Sequence, residues 1–295
     1  VYAGSITGAL SVSIWASHAN VAIGFPVQFR ADITGRATAS LWQWGDGSAD
    51  TSNQPYADHA FSTTGTYAVV LWAYNETYPL GVAATVTVQV AAQAVHYVNI
   101  SNATPSSPFA SWATAATNIQ DAVDAATQPG ALVLVSNGVY ATGGRVVYGG
   151  MTNRVALAQP VEVRSVNGPG ATIIQGAWHP GQTNGNTAVR CAYVGSSAML
   201  SGFTLTNGAT RSSGDQVREQ SGGGAWCEAS GVLSNCTLAG NSAYYSGGGI
   251  YGGTLHNCTL AGNAAGTYGG GAYYSALANC TLSGNSVQSS GGGAF

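Results

Sequence analysis

Four charged residues fall close together in the second half of the chain: Asp215, Arg218, Glu219 and Glu228. Carboxylates beside an arginine are equipment for cleaving a polysaccharide. A glycoside hydrolase needs two carboxylates at a set separation. A lyase needs a base, and usually a cation that acidifies the sugar proton. If the chain is a secreted lyase or hydrolase, these four are its catalytic residues. The competing reading is a solvated loop held by local ion pairs, each worth little. The sequence favours the loop. From residue 131 onward the acids are Glu162, Asp215, Glu219 and Glu228 alone, and Leu233 to Phe295 carries no charge at all. His179 and His256 stand isolated and read as surface residues. Asp46, Asp50 and Asp58 are candidate calcium ligands, because a hard cation wants several oxygens. Turn chemistry, with carboxylates accepting from nearby N–H groups, explains the same residues. No other cofactor is implied.

The elements that must position the cluster are written in a repeat. LSNCTLAGNSAYYSGGGIY from Leu233 recurs from Leu255 and from Leu277 at intervals of 22 residues. Cys236, Cys258 and Cys280 repeat with it, as do Asn241, Asn263 and Asn285 and the triple glycines beginning at Gly247, Gly269 and Gly291. So short a period signals a solenoid. Twenty-two residues suit three short strands and three turns of a right-handed parallel β-helix. Alternation then puts the Cys and Leu columns inside and Thr237 outside. Stacked cysteines read as buried thiols acting as small hydrophobes; parallel side-chain vectors make a disulfide poor. The asparagines read as a turn column, tolerating left-handed φ and pairing amide to amide. Trp226, Tyr251, Tyr273 and Phe295, just after the glycines, stack coil on coil. LSGFTLTNG from Leu200 matches LSNCTLAGN from Leu233, but 33 residues separate them. The extra residues lie between Asn207 and Gly222, and they hold most of the charged cluster.

Upstream, Ala131–Val135, Val161–Arg164, Ala171–Gln175, Ala188–Val194 and Leu200–Leu205 read as short strands. Thr117 and Gln120 spell a capping box, and Ile119, Ala122, Val123 and Ala126 follow at helical spacing. A lone amphipathic helix there would cover the open first coil. The expected organisation is 1–10 as a linker or the end of a preceding module, 11–92 as a β-sandwich, 93–130 as linker and capping helix, and 131–295 as the β-helix. From 131 the coils number about seven, giving a shaft of about 35 Å.

Residues 11–92 carry a family resemblance. Trp42-Gln43-Trp44-Gly45-Asp46-Gly47-Ser48, then His59-Ala60-Phe61, then Gly65-Thr66-Tyr67 with its following strand resemble the PKD domain. The resemblance implies an Ig-like sandwich with Trp42 in its core and an accessory or spacer role. The segment SWATAATNIQDAVDAA followed by GALVLVSNGVY looks like the cap and first coil of the pectate-lyase-like superfamily. The repeats, with L-x-x-N and then GG[GA]-[IA]-[YF], resemble those of chlamydial polymorphic outer membrane proteins, with Leu238, Leu260 and Leu282 in place of Phe. The fold class expected is all-β: a PKD-like sandwich followed by a right-handed parallel β-helix. Those relatives include enzymes, adhesins and inert stalks, so fold alone does not choose among them.

Composition narrows the choice. Charged residues are 6%, hydrophobic residues 45%, and the net charge is −3. A basic stripe for phosphates is missing, which excludes nucleic acid as the partner. No apolar run reaches the ~18 residues of a spanning helix. A Ser-, Thr-, Asn- and Gly-rich exterior suits an extracellular or cell-surface protein. The expected role is structural or adhesive, with cell-surface or matrix glycans as partners, or self-association into a filament through an open coil edge. The start at Val1 and the end in mid-array are those expected of a piece of a longer secreted chain. Six N-x-[ST] sequons occur, at Asn75, Asn99, Asn102, Asn235, Asn257 and Asn279.

Overall fold

The structure is a computed structural model that describes residues 5–295. It divides into two compact units. One runs to Ala94 and includes Gln128–Gly130; the other comprises Val95–Thr127 and Ala131–Phe295.

The first unit is a sandwich of two sheets. Ser11–Ala16, Pro26–Thr34 and Tyr56–Ala60 form a three-stranded sheet. Asn20–Ala22, Val82–Ala91, Gly65–Tyr74, Ala39–Gln43 and Ala49–Asp50 form the other, in that order. Alternating apolar residues face inward from both sheets. Phe29, Trp42, Trp44, Phe61, Val69, Leu71 and Val88 make the core. Trp42, on the strand Ala39–Gln43, and Trp44, just past its end, both turn inward and stack at 5.4 Å. The Trp42 indole N–H donates to the Gln54 carbonyl at 3.0 Å, so a fully buried polar group is satisfied. Of the expected linker, residues 1–4 lie outside the described residues. The rest is tied down: Gly8 N donates to Thr77 Oγ1 at 2.9 Å, and its carbonyl accepts from Asn75 Nδ2 at 3.1 Å. That use leaves Asn75 3% exposed, so its sequon is internal structure.

His59 stacks on Trp44 at 4.6 Å and meets Asp46 Oδ2 at 2.7 Å. Burial works against ionisation of Asp46. The Ser48 hydroxyl and N–H and the His59 ring outweigh it and hold the carboxyl at about 2, below its ordinary 3.8. Depressed folded pKa means stability present at neutral pH and lost as pH falls from 3.8 towards 2. Asp46→Asn is expected to destabilise the turn at pH 7, by about 1 kcal/mol once solvent screening of this exposed group is allowed for, and progressively less on acidification. Amide-exchange protection at Trp44 and Ser48, followed in both proteins against pH, reads this out.

The second unit is a parallel β-helix. Its largest sheet has seven strands: Val95–Val98, Leu132–Val135, Glu162–Ser165, Met199–Ser201, Val232–Ser234, Thr254–His256 and Ala276–Ala278. Two six-stranded sheets and a three-stranded sheet complete the coils. Register follows the repeat: Thr237 pairs with Thr259 and Thr259 with Thr281. Leu200, Leu233 and Leu255 form one fully buried column, and Leu205, Leu238 and Leu260 another. Each such leucine contributes roughly 2 kcal/mol of burial. Thr237 and Thr259 are half-buried between them.

Coil and helix boundaries differ from the sequence expectation. Val95–Val98 pairs in parallel with Leu132–Val135, so the first rung lies inside the segment expected to be linker. Four residues containing His96 and Tyr97 are too short and too polar to announce a strand. The helix is Ile119–Ala125, and its N-cap is Asn118, not Thr117. Asn118 Oδ1 accepts from Asp121 N at 2.9 Å. Gln120, expected to close the capping box, is buried instead. Its Oε1 accepts from Ala156 N at 2.7 Å and its Nε2 donates to Ala156 O at 3.3 Å. The side-chain amide thus serves a strand's backbone as another strand would.

Asparagine roles differ as well. Left-handed φ belongs to Asn235 (51°), Asn257 (54°) and Asn279 (54°), the exposed residues of the NCT triplets. Gly202 holds the equivalent turn one coil earlier with φ 80°. At the next turn Asn207 (54°) is succeeded by Gly240, Gly262 and Gly284, all with positive φ. Glycine and asparagine exchange at both places because they enter this region with least strain. Asn241, Asn263 and Asn285 have no left-handed φ and form an internal ladder.

Candidate functional site

The charged insertion is organised by a residue inside the solenoid. Arg190 lies on the strand Val189–Val194 and is 1% exposed. Its Nη1 donates to Asn153 Oδ1 at 2.9 Å and its Nε to the Gly222 carbonyl at 2.8 Å. Its Nη2 donates to the carbonyls of Arg218 and Ser221, both at 2.7 Å. Burial lowers its pKa to about 9. The guanidinium therefore holds the insertion's backbone from beneath.

Glu219 anchors the loop from above. Its Oε1 accepts from Gly150 N at 2.7 Å and pairs with Arg211 Nε at 3.2 Å. Its Oε2 accepts from Asp215 N at 2.9 Å. These two backbone donors, with Arg211, outweigh burial and hold the carboxyl below its usual range. Asp215 Oδ1 accepts from the N–H groups of Val217 and Arg218 at 2.9 and 2.7 Å, which turns the chain. Arg218 places its guanidinium 4.5 Å from the centre of the Tyr148 ring.

Glu228 sits in a different set of partners. Its Oε1 accepts from the hydroxyls of Tyr148 at 2.8 Å and Tyr193 at 2.9 Å. Burial, then the hydrogen bonds to Tyr148 and Glu228, push the Tyr193 phenol well above its usual range, so it remains a donor. Asp215, Arg218 and Glu219 thus come together, while Glu228 reaches them only through Tyr148. Arg190, Tyr148, Tyr193 and Gly150 escaped the sequence reading. Gly149-Gly150 was the available signal, since a Cβ at either would collide with the Glu219 or Arg211 side chain.

An aromatic column crosses this region. Tyr193, Trp226, Tyr251 and Tyr273 occupy successive rungs in register. Ring centroids are 5.7, 5.8 and 5.5 Å apart, and Phe295 follows Tyr273 at 5.7 Å. Tyr193 and Trp226 are buried beneath Val147 and Tyr148, and the Trp226 indole donates to Val217 O at 2.9 Å. Tyr251 and Tyr273 are half-buried, and Phe295 is exposed. Tyr274 is 74% exposed, with its ring edge-on to Tyr273 at 4.7 Å. Its φ is +55°, at the place where the preceding repeat has Gly252. A bulky residue in this region is strained. Beside the column lies a groove of about 500 Å³ walled by Tyr244 and Tyr245 and lined by Asn184, Gln216, Gln220 and Gln288.

The remaining candidates are separate. Asp46 and Asp50 accept from the backbone N–H of Ser48 and Ser52 at 2.9 and 2.8 Å, each two residues ahead. Neither joins Asp58, and among the described residues no group of three His, Cys, Asp or Glu side chains is placed to hold a metal. All five cysteines are free thiols. Cys236 N donates to Cys258 Sγ at 3.4 Å, one rung linking to the next. Burial pushes the Cys191 thiol up to about 12. His179 meets Thr187 Oγ1 at 2.7 Å, and His256 is exposed. Among the described residues no helix is long and apolar enough to cross a membrane, which says nothing of a β-barrel.

Comparison with known proteins gives one family match, and it lies in the first unit. Nothing among curated proteins matches the chain. One similar solved structure is described as "Structural basis for the promiscuous specificity of the carbohydrate-binding modules from the beta-sandwich super family". It is 21% identical, with a TM-score of 0.27, over 33% of this chain and 39% of its own length. The chain therefore spans well under half of that structure. The family model for the PKD domain matches residues 11–91. The chain carries a PKD domain, followed by a parallel β-helix.

Proposed function

We propose that this chain is a structural and adhesive part of an extracellular or cell-surface protein. In this reading the PKD domain is a spacer, and the β-helix is a stiff shaft of the pectate-lyase-like kind that holds glycans on its exposed tyrosines. One observation carries it. The carboxylates best placed for chemistry, Glu219 and Glu228, are engaged in holding the insertion and the aromatic column. Beyond them Tyr244 stands 51% exposed at the groove, and the Tyr274 ring stands edge-on to Tyr273. Tyrosine faces and edges suit the C–H faces and hydroxyls of sugars, and the amides lining the adjacent groove add neutral donors and acceptors.

The intact chain on a glycan array, beside absorbance and reducing-sugar assays for lyase and hydrolase turnover, tests this. Binding without turnover is expected. The double substitution Tyr273→Ala, Tyr274→Ala is expected to weaken binding about tenfold, or about 1.4 kcal/mol. Turnover that disappears in Glu228→Gln would overturn the reading in favour of an enzyme. That second reading rests on a specific feature: two phenols converge on one carboxylate oxygen of Glu228, with the Arg218 guanidinium over one of the rings.

A further inference from the structure

The outer face of the three-stranded sheet in the PKD domain is mostly small or polar. Ser11, Ser13, Gln28, Asp32, Thr34 and Asp58 stand outward along its strands. One row breaks the pattern. Trp15 pairs directly with Arg30, and Arg30 directly with Tyr56. Residues opposite one another in antiparallel strands project from the same face, so the three side chains stand side by side. Trp15 is 59% exposed and Tyr56 65%. Two strand spacings put the aromatic positions about 10 Å apart.

Nothing in the fold accounts for this row. Exposed aromatic surface forgoes the gain from burial. Arg30 Nη2 meets Asp32 Oδ1 at 3.0 Å, with both side chains about 70% in solvent, and such pairs add little to stability. A second feature adjoins the row: a cavity of about 600 Å³ whose wall includes Arg30, Asp32, Ser40, Asn53 and Tyr56. Its floor is fixed by Asn53, which takes φ +60° and accepts at Oδ1 from Ser40 N at 2.6 Å.

We infer that this face binds a neutral oligosaccharide. Sugar rings lie on Trp15 and Tyr56, which present flat apolar surface at two points of one line. Between them the Arg30 and Asp32 pair offers donors beside acceptors, the complement of two adjacent hydroxyls. The carboxylate next to the guanidinium offsets its charge, which disfavours an acidic glycan as the primary ligand. The cavity takes a ring or branch extending past Tyr56. This site lies on a different unit from the β-helix tyrosines and does not depend on them.

Affinity electrophoresis of the intact chain tests the inference, in native gels containing hydroxyethylcellulose, xylan or galactomannan, with polygalacturonate and heparin as acidic arms. Retardation is expected in at least one neutral gel. Trp15→Ala and Tyr56→Ala should each reduce that affinity tenfold or more, and Arg30→Ala should reduce it less. Both aromatic side chains are in solvent, so these variants should fold, and unchanged circular dichroism checks it. Tyr273→Ala, Tyr274→Ala should leave this retardation intact, which separates failure of this site from failure of the β-helix reading. No retardation in any neutral gel overturns the proposal, as does retardation indifferent to Trp15 and Tyr56 or confined to the acidic gels. Light scattering adds one more outcome: a wild-type dimer made monomeric by Trp15→Ala would assign the face to a second copy and sink the inference.

Discussion

Arg190→Met is expected to destabilise the β-helix by about 4 kcal/mol and to release the charged insertion. Four acceptors depend on this one guanidinium: Asn153 Oδ1 and the carbonyls of Arg218, Ser221 and Gly222. Methionine fills comparable volume but donates nothing. A buried acceptor left without its partner costs roughly 1–3 kcal/mol. The sum over four would exceed the expected loss, because the insertion can open and let water reach Arg218 and Ser221. Opening of the loop therefore sets the ceiling, and it makes the effect visible locally. Amide protection at Gly150, Asp215 and Glu219 should collapse, since those groups bond within or onto the insertion. Protection at Thr237 and Thr259, deep in the regular repeats, should persist. Arg190→Lys keeps the charge but replaces a planar fork with a point donor, so it should recover only part of the loss. Amide exchange together with urea unfolding measures both effects. Equal loss of protection across the whole solenoid would mean that Arg190 supports the coils and not the insertion.

The dependence on Arg190 also shows where a sequence stops being readable. The repeat was open to inspection because nearest-neighbour packing repeats residue type at a fixed interval: Leu233, Leu255 and Leu277 must fill equivalent space. The tight PKD turn was readable for a related reason, since Gly45, Asp46 and Gly47 answer a local backbone demand. Arg190 answers a distant one. It stands in an apolar strand, and its partners lie 28 to 37 residues away, so no local pattern marks it as internal. The two asparagine columns failed for another reason. Asn235 and Asn241 recur with one period, and a period cannot separate a residue that enters a left-handed turn from one that bridges coils. The coil from Leu200 does not separate them either, because Gly202 aligns with Asn235 and Gly208 with Asn241; only the backbone tells them apart, with Gly202 left-handed and Gly208 not. Tyr274 inverts this logic, placing a bulky ring where the preceding repeat has a left-handed glycine. Residues that break their own repeat, as Tyr274 does and as the row of Trp15 and Tyr56 breaks its sheet face, are therefore where function is most usefully sought.

Asn263→Ala should be the most damaging change within the regular coils, at about 3 kcal/mol. Asn263 is completely buried. Its Nδ2 donates to Asn285 Oδ1 at 2.9 Å and to the Leu238 carbonyl at 2.9 Å. Its Oδ1 accepts from the backbone N and Nδ2 of Asn241 at 3.1 and 3.0 Å. Alanine removes the Asn263 partner of the Asn241 N–H and of the Leu238 carbonyl. It leaves Asn241 Nδ2 with Leu205 O, and Asn285 Oδ1 with the residue 263 N–H alone, in a space too enclosed for easy hydration. The neighbouring glycines make the enclosure: a Cβ on Gly249 would lie 3.1 Å from Asn263 Nδ2 and 2.5 Å from the Gly271 carbonyl oxygen. The triple glycines and the asparagine ladder are thus one device, the former admitting the close backbone approach that the latter ties together. Asn263→Asp discriminates hydrogen bonding from shape. The isosteric carboxyl keeps the acceptor towards Asn241 but turns a donor into an acceptor facing Leu238 O and Asn285 Oδ1. Burial raises a carboxyl pKa, so its folded pKa should stand above its unfolded one. The deficit is then largest at neutral pH and shrinks as pH falls through the raised value and the group is protonated. Urea unfolding of both variants at pH 7 and pH 4 decides it. The aspartate variant should gain relative to wild type on acidification, and the alanine variant should not. Equal behaviour at the two pH values would place Asn263 in contact with water and remove the ladder's claim to bind coil to coil.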